Sequence, residues 1–130
     1  MQPSPRSSHA DRPATILVVE DEILLVDMVT EELEEAGYRV LSALTGEEAL
    51  TYLSGPDAID LLFTDIRLPG GMDGWRVAEA ARRLRPGLPV IYVTGYSVEQ
   101  PRKVSGSRFM VKPYRPSMVV EAIKEFGLAP

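Results

Sequence analysis

Five residues, scattered along a chain of 130, could do chemistry together: Glu20, Asp21, Asp65, Thr94 and Lys112. Three carboxylates brought close together away from water repel one another. A divalent cation offsets two of those charges, and an ammonium offsets the third. Oxygen ligands that leave places for water and for phosphate oxygens suit Mg2+. A carboxylate beside such an ion can act as the nucleophile in phosphoryl transfer. It needs no histidine base, because it is already ionised at neutral pH. The Lys112 ammonium and the Thr94 hydroxyl would stabilise charge on the equatorial phosphoryl oxygens.

Each of these residues also has an ordinary use. Glu20, Asp21 and Glu22 suit the start of a helix, where acids favour the macrodipole. Asp65 suits a turn ahead of Pro69-Gly70-Gly71. Thr94 can end a strand before Gly95, and Lys112 can be a solvated surface charge. The chemistry is convincing only if the fold gathers all five at one place.

Composition narrows the field. There is no cysteine, which excludes disulfides, thiolate metal sites and cysteine nucleophiles. The single histidine, His9, sits in a Pro- and Ser-rich start, so a histidine triad or cluster is not expected. A net charge of −5 argues against a nucleic-acid partner, which asks for a basic face. The apolar runs Ile16–Val19 and Ile23–Val26 are too short to span a bilayer, and no apolar leader precedes them. A cytoplasmic protein with no membrane partner is the expectation.

The elements that must position the five residues show in the spacing. Residues 1–13 carry no periodicity and read as a disordered tail. From residue 14 to 130, β-rich runs alternate with helical ones. The strands are expected at 15–19, 38–43, 59–64, 89–94 and 108–111. Ile23, Val26, Val29 and Leu33 mark one face of a helix that Gly37 stops. Ala49, Leu50 and Leu53 mark a second, with Thr45 and Glu48 in a capping-box pattern and Gly55-Pro56 at its end. Val77, Ala78, Ala81 and Leu84 mark a third, closed by Pro86-Gly87; Val119, Ile123 and Phe126 mark the last. Between them, residues 97–105 form a weak helical slot. Pro101 interrupts it and it has little apolar content, so a short, distorted or mobile helix is expected.

Five strands and five helices in alternation predict an α/β domain with a parallel sheet covered on both faces. Runs such as Ile16–Val19 and Leu61–Phe63 are apolar throughout, as doubly buried strands are. In such a sheet the site lies at the carboxyl ends of the strands. Glu20 and Asp21 follow the first strand, Asp65 the third, Thr94 the fourth and Lys112 the fifth. All five therefore fall on one edge.

At this point residues 14–127 resemble the receiver domain of two-component response regulators. The similarity is carried by Ile16–Glu22, Phe63–Pro69, Met72-Asp73-Gly74, Val93-Thr94-Gly95 and Phe109–Pro113. It implies a doubly wound, flavodoxin-like, five-stranded sheet of order 2-1-3-4-5, and a histidine kinase or histidine phosphotransfer protein as phosphodonor. By resemblance, Asp65 is the phospho-acceptor, and Mg2+ is held by Glu20, Asp21, Asp65 and the Arg67 backbone carbonyl. Thr94 is the switch hydroxyl, Lys112 pairs with the phosphoryl group, and Lys112-Pro113 is a cis peptide. Phe109 takes the place of the switch aromatic, although a strand aromatic can also be simple core. The face of the fourth helix, fifth strand and fifth helix would meet a downstream protein or a second copy. The chain would be no enzyme beyond its own phosphoryl transfer and autodephosphorylation.

Three features depart from the common pattern. The loop Leu68–Gly74 is one glycine longer. Arg67 and Tyr96, each two residues past a site residue, flank the path of an attacking water and are expected to tune acyl-phosphate lifetime. The Thr94-Gly95-Tyr96 turn resembles receivers found alone or in hybrid kinases, and residues 127–130 leave no room here for a DNA-binding module.

Other readings make different demands. An aspartate-nucleophile phosphatase would carry a second Asp where Arg67 stands. A flavin mononucleotide binder would need a phosphate-cradling loop where Glu20-Asp21-Glu22 stands. A scaffold with vestigial phosphorylation would not need the complete set of five.

Overall fold

The computed structural model describes residues 12–95 and 102–130. Five strands, β1 (Thr15–Val19), β2 (Arg39–Ala43), β3 (Leu61–Asp65), β4 (Val90–Thr94) and β5 (Arg108–Val111), form one sheet. Four helices accompany them among the described residues: α1 (Ile23–Glu35), α2 (Gly46–Ser54), α3 (Gly74–Leu84) and α4 (Pro116–Glu125). The predicted fifth helix is not among them. Most of its slot, with Tyr96, lies outside the described residues, and Arg102–Ser105 are turn and coil. His9 and the rest of residues 1–11 also lie outside.

All neighbouring strands pair in parallel, in the order β2-β1-β3-β4-β5. The expected doubly wound α/β topology is thus observed. Alternation along the strands divides the core in two. Ile16, Val18, Leu61, Phe63, Ile91 and Val93 pack with Val29 and Leu33 of α1 and Val119 and Ile123 of α4. Leu17, Val19, Leu62, Val90 and Tyr92 pack with Ala49 and Leu53 of α2 and Val77 and Ala81 of α3. The central strands β1, β3 and β4 are buried along their whole length, which explains their unbroken apolar runs.

Helix ends follow the local chemistry. Gly37 lies at φ 105°, the left-handed conformation that stops α1. The Thr45 hydroxyl accepts from Glu48 N–H at 3.1 Å, while Glu48 accepts from Leu44 N–H at 2.7 Å. The expected box is therefore present with its return bond one residue earlier. At the other end of α2, the Arg85 guanidinium donates to the Leu53 and Gly55 carbonyls at 3.1 Å each. Ile23, placed by its spacing on the buried face of α1, is 60% exposed. It opens the helix beyond the end of β1, where no strand lies beneath it. Leu84, the last residue of α3, is likewise largely exposed.

At the amino ends of the strands the chain is tied down on both sides. Arg12, grouped by its sequence with the tail, donates to both Asp60 carboxylate oxygens, at 2.8 and 3.2 Å. Asp60 also accepts from Thr15 N–H at 2.7 Å. The Tyr38 hydroxyl donates to the Leu128 carbonyl at 2.8 Å.

The tightest backbone approach lies at the start of α3. Gly74 N–H donates to the Ile66 carbonyl at 2.7 Å. A Cβ on Gly74 would stand 2.0 Å from the Asp65 carbonyl oxygen and 2.7 Å from Ile66 Cα. Backbone cannot yield as a side chain can. Gly74→Ala is expected to destabilise the fold by about 3 kcal/mol, read from urea unfolding midpoints. Gly95→Ala is the comparison, because its added Cβ would meet nothing within 4 Å.

Candidate functional site

The sheet brings the five predicted residues to one edge. Val19 pairs with Thr64, so Glu20 and Asp65 follow side by side on neighbouring strands. That pair of strands is where the winding order reverses, the place where such sheets hold ligands. Asp65 is itself the last residue of β3 and not the first after it. Thr94 ends β4, and its carbonyl accepts from Lys112 N–H at 2.8 Å. Glu20, Asp65 and Thr94 are buried, whereas Asp21 is exposed. The Lys112-Pro113 bond is cis, as the resemblance implied.

The Lys112 ammonium joins the edge together. Its Nζ lies 3.1 Å from Glu20 Oε1, 3.1 Å from Asp65 Oδ2 and 3.8 Å from Glu22 Oε2. Glu20 uses its other oxygen to accept from Glu22 N–H at 3.0 Å. Glu20 therefore faces inward and does not cap α1, and the N-cap Glu22 makes no side-chain capping bond either. Burial pushes the Asp65 carboxyl up to about 7, with the Glu20 charge adding to the effect and Lys112 opposing it. Burial works against the Lys112 charge, but Asp65 and Glu20 together outweigh it and hold the ammonium above its usual range.

Carboxylate oxygens from Glu20, Asp21 and Asp65 all lie within 4.8 Å of one another. Three acids at that spacing, two of them buried, form an oxygen donor set that fits a small hard cation. Beside it opens a cavity of about 380 Å3, lined by Asp65, Arg67, Thr94 and Lys112 among others. Arg67 lines this cavity beside Asp65.

Several neighbours were not legible in the sequence. Phe109 pairs across the strands with Tyr92 and stacks on it at 5.1 Å between centroids; Trp75 packs on both, at 4.9 Å from Tyr92 and 5.9 Å from Phe109. The Tyr92 hydroxyl accepts from Val104 N–H at 3.1 Å, which ties the start of the β5 approach to β4. On the opposite face of the sheet, Tyr114 packs edge-on against Phe63 at 5.9 Å. Its hydroxyl is buried without a hydrogen-bond partner among the described residues. Burial and the charges of Glu20, Asp65 and Glu22 raise its pKa. Only its place two residues after Lys112 could have suggested it.

A carboxyl held up to about 7 in the folded protein, against an ordinary value near 4, has a definite sign in stability. The folded state binds the proton more tightly than the unfolded chain, so its stability falls as pH rises through that interval. In chelator-treated protein, Asp65 is expected to lower stability by about 2 kcal/mol between pH 5 and pH 8, after discounting for solvent screening. Asp65→Asn should remove that part of the slope. Urea titrations of both proteins across this range measure it.

Comparison with known proteins agrees with this geometry. Residues 16–124 match the family described as the response regulator receiver domain. The transcriptional regulatory protein YbdJ of Bacillus subtilis is 31% identical over 105 residues, covering 78% of this chain and 45% of that protein. The sensor histidine kinase RcsC of Salmonella typhimurium is 34% identical over 98 residues, covering 75% of this chain and 10% of that protein. The chain thus spans about half or less of the length of these relatives. A response regulator receiver protein from Sinorhizobium medicae superposes with a TM-score of 0.80 at 34% identity, covering 87% of this chain and 93% of the other. With the match running through β1, β3, β4 and β5 and their carboxyl-edge residues, the chain belongs to the response regulator receiver domain family of two-component systems.

Proposed function

We propose that the chain receives a phosphoryl group on Asp65 from a histidine kinase or a histidine phosphotransfer protein. The observation that carries this is the Lys112 ammonium at 3.1 Å from Asp65 Oδ2, at an edge where Glu20 and Asp21 supply further carboxylate oxygens. The Asp65 oxygen attacks phosphorus, the phosphorus–nitrogen bond of the donor histidine breaks, and its electron pair returns to the imidazole. Glu20, Asp21, Asp65 and the Arg67 carbonyl would hold Mg2+. When bound, that ion offsets the carboxylate charge and polarises the phosphoryl oxygens. Lys112 shifts from bridging two carboxylates to pairing with the new phosphate charge.

The added charge then acts as a switch. Thr94 turns its hydroxyl toward the phosphoryl group, and Phe109 follows on the adjoining strand. The surface that β5 and α4 present changes and is read by a downstream protein or a second copy of the chain; the fourth helix that the resemblance adds to this face falls at residues 97–105. Much of the 97–105 stretch lies outside the described residues. We place this activity in the cytoplasm; among the described residues no helix is long and apolar enough to cross a membrane. The chain catalyses its own phosphoryl transfer and autodephosphorylation and acts on no other substrate.

Incubation with a small phosphodonor and Mg2+ should add one phosphoryl group to the intact mass of the wild type and none to Asp65→Asn. A wild type that gains nothing would sink the proposal and leave a scaffold reading in its place. Arg67→Ala and Tyr96→Ala should each change how fast the acyl phosphate decays. Decay rates equal to wild type in both would remove their tuning role.

A further inference from the structure

The extra glycine between β3 and α3 has no part in the phospho-acceptor reading, but the structure gives it a partner. The loop is closed at its base by the Gly74-to-Ile66 hydrogen bond, and Leu68 and Met72 pack against the core. Its tip, Gly70-Gly71, stands exposed on the surface. There the first turn of α2 meets it. Gly71 N–H donates to Glu47 Oε2 at 3.0 Å. Gly70 lies at φ 86°, and a Cβ on it would stand 3.1 Å from Glu47 Oε1. The preceding residue, Gly46, is as close to the loop: a Cβ there would stand 2.7 Å from Met72 Cβ.

The two glycines have separate tasks. Gly70 takes a left-handed conformation that side chains rarely adopt. Gly71 supplies the backbone donor; a Cβ on it would stand 3.4 Å from Glu47 Oε2, so its task is the N–H and not the missing side chain. Arg67 lies on the same loop, between the closed base and this tip.

We propose that Glu47 is a positioning residue for the metal site: by fastening the Gly70-Gly71 tip to α2 it keeps the Arg67 carbonyl in place at the mouth of the acidic cluster. This rests on the phospho-acceptor reading. A simpler role competes with it, since an acid in a first helical turn stabilises the helix through its charge alone. A negative charge near the cluster would also attract a cation without touching the loop. Glutamine separates these roles, because it keeps an oxygen acceptor for Gly71 N–H and loses the charge.

The test uses the full chain, labelled with nitrogen-15, as wild type, Glu47→Ala and Glu47→Gln. Amide exchange at Gly71 and a titration with Mg2+ alone, followed on the amide resonances, are measured for each. Glu47→Ala is expected to speed Gly71 exchange by about fivefold and to weaken Mg2+ binding by about fivefold, somewhat less than for a direct neighbour of a ligand. Glu47→Gln should return both to within about twofold of wild type. Equal Mg2+ affinity in wild type and Glu47→Ala overturns the clamp, and so does a Glu47→Gln protein that falls as far as Glu47→Ala. A wild type that takes up no Mg2+ overturns the phospho-acceptor reading itself, and the clamp with it.

Discussion

The Lys112 ammonium sits between two buried carboxylates, 3.1 Å from each. Remove it and Glu20 and Asp65 face one another across the junction of β1 and β3 without the countercharge it supplies. Two like charges in a dry site are among the more costly arrangements a fold can hold. Burial raises the Asp65 carboxyl, and the Glu20 charge adds to it, even with Lys112 in place. The edge is thus built to be short of positive charge, which makes it receptive to a cation and sensitive to any added anion.

Holding that tension in place requires a frame that does not relax. The three central strands supply it, being buried on both faces and locked in register with their neighbours. Gly74 brings α3 so close to the Asp65 carbonyl that only a residue without a side chain fits. On the far side, Lys112 is fixed from its own backbone by the bond to Thr94. Asp65 and Lys112 are therefore held by different strands, and their meeting depends on the sheet as a whole and not on any local turn.

Much of this was legible in the residues because it rests on periodicity and on strand ends. The apolar runs placed β1 and β5 to the residue, and the alternation of elements gave the parallel topology. The five site residues could be ordered along one edge from the strand ends alone. What could not be read are contacts between side chains far apart in sequence with no repeating pattern. Trp75, Tyr92 and Phe109 form one aromatic cluster from three elements, and nothing in their spacing announces it. Tyr114 beside the acids and Glu47 beside the glycine loop are of the same kind. Ile23 was misplaced for a different reason. Helical periodicity says which residues share a face, but not where the surface beneath that face ends.

The ties of Arg12 to Asp60 and of Tyr38 to Leu128 lie at the amino ends of the strands, the pole opposite the acidic edge. Both ends of the folded chain are therefore anchored on the same far side of the molecule. The Asp65 edge carries neither of these ties, and a force applied at Arg12 or Leu128 would load the ion pair and hydrogen bond at that pole before it reached the site.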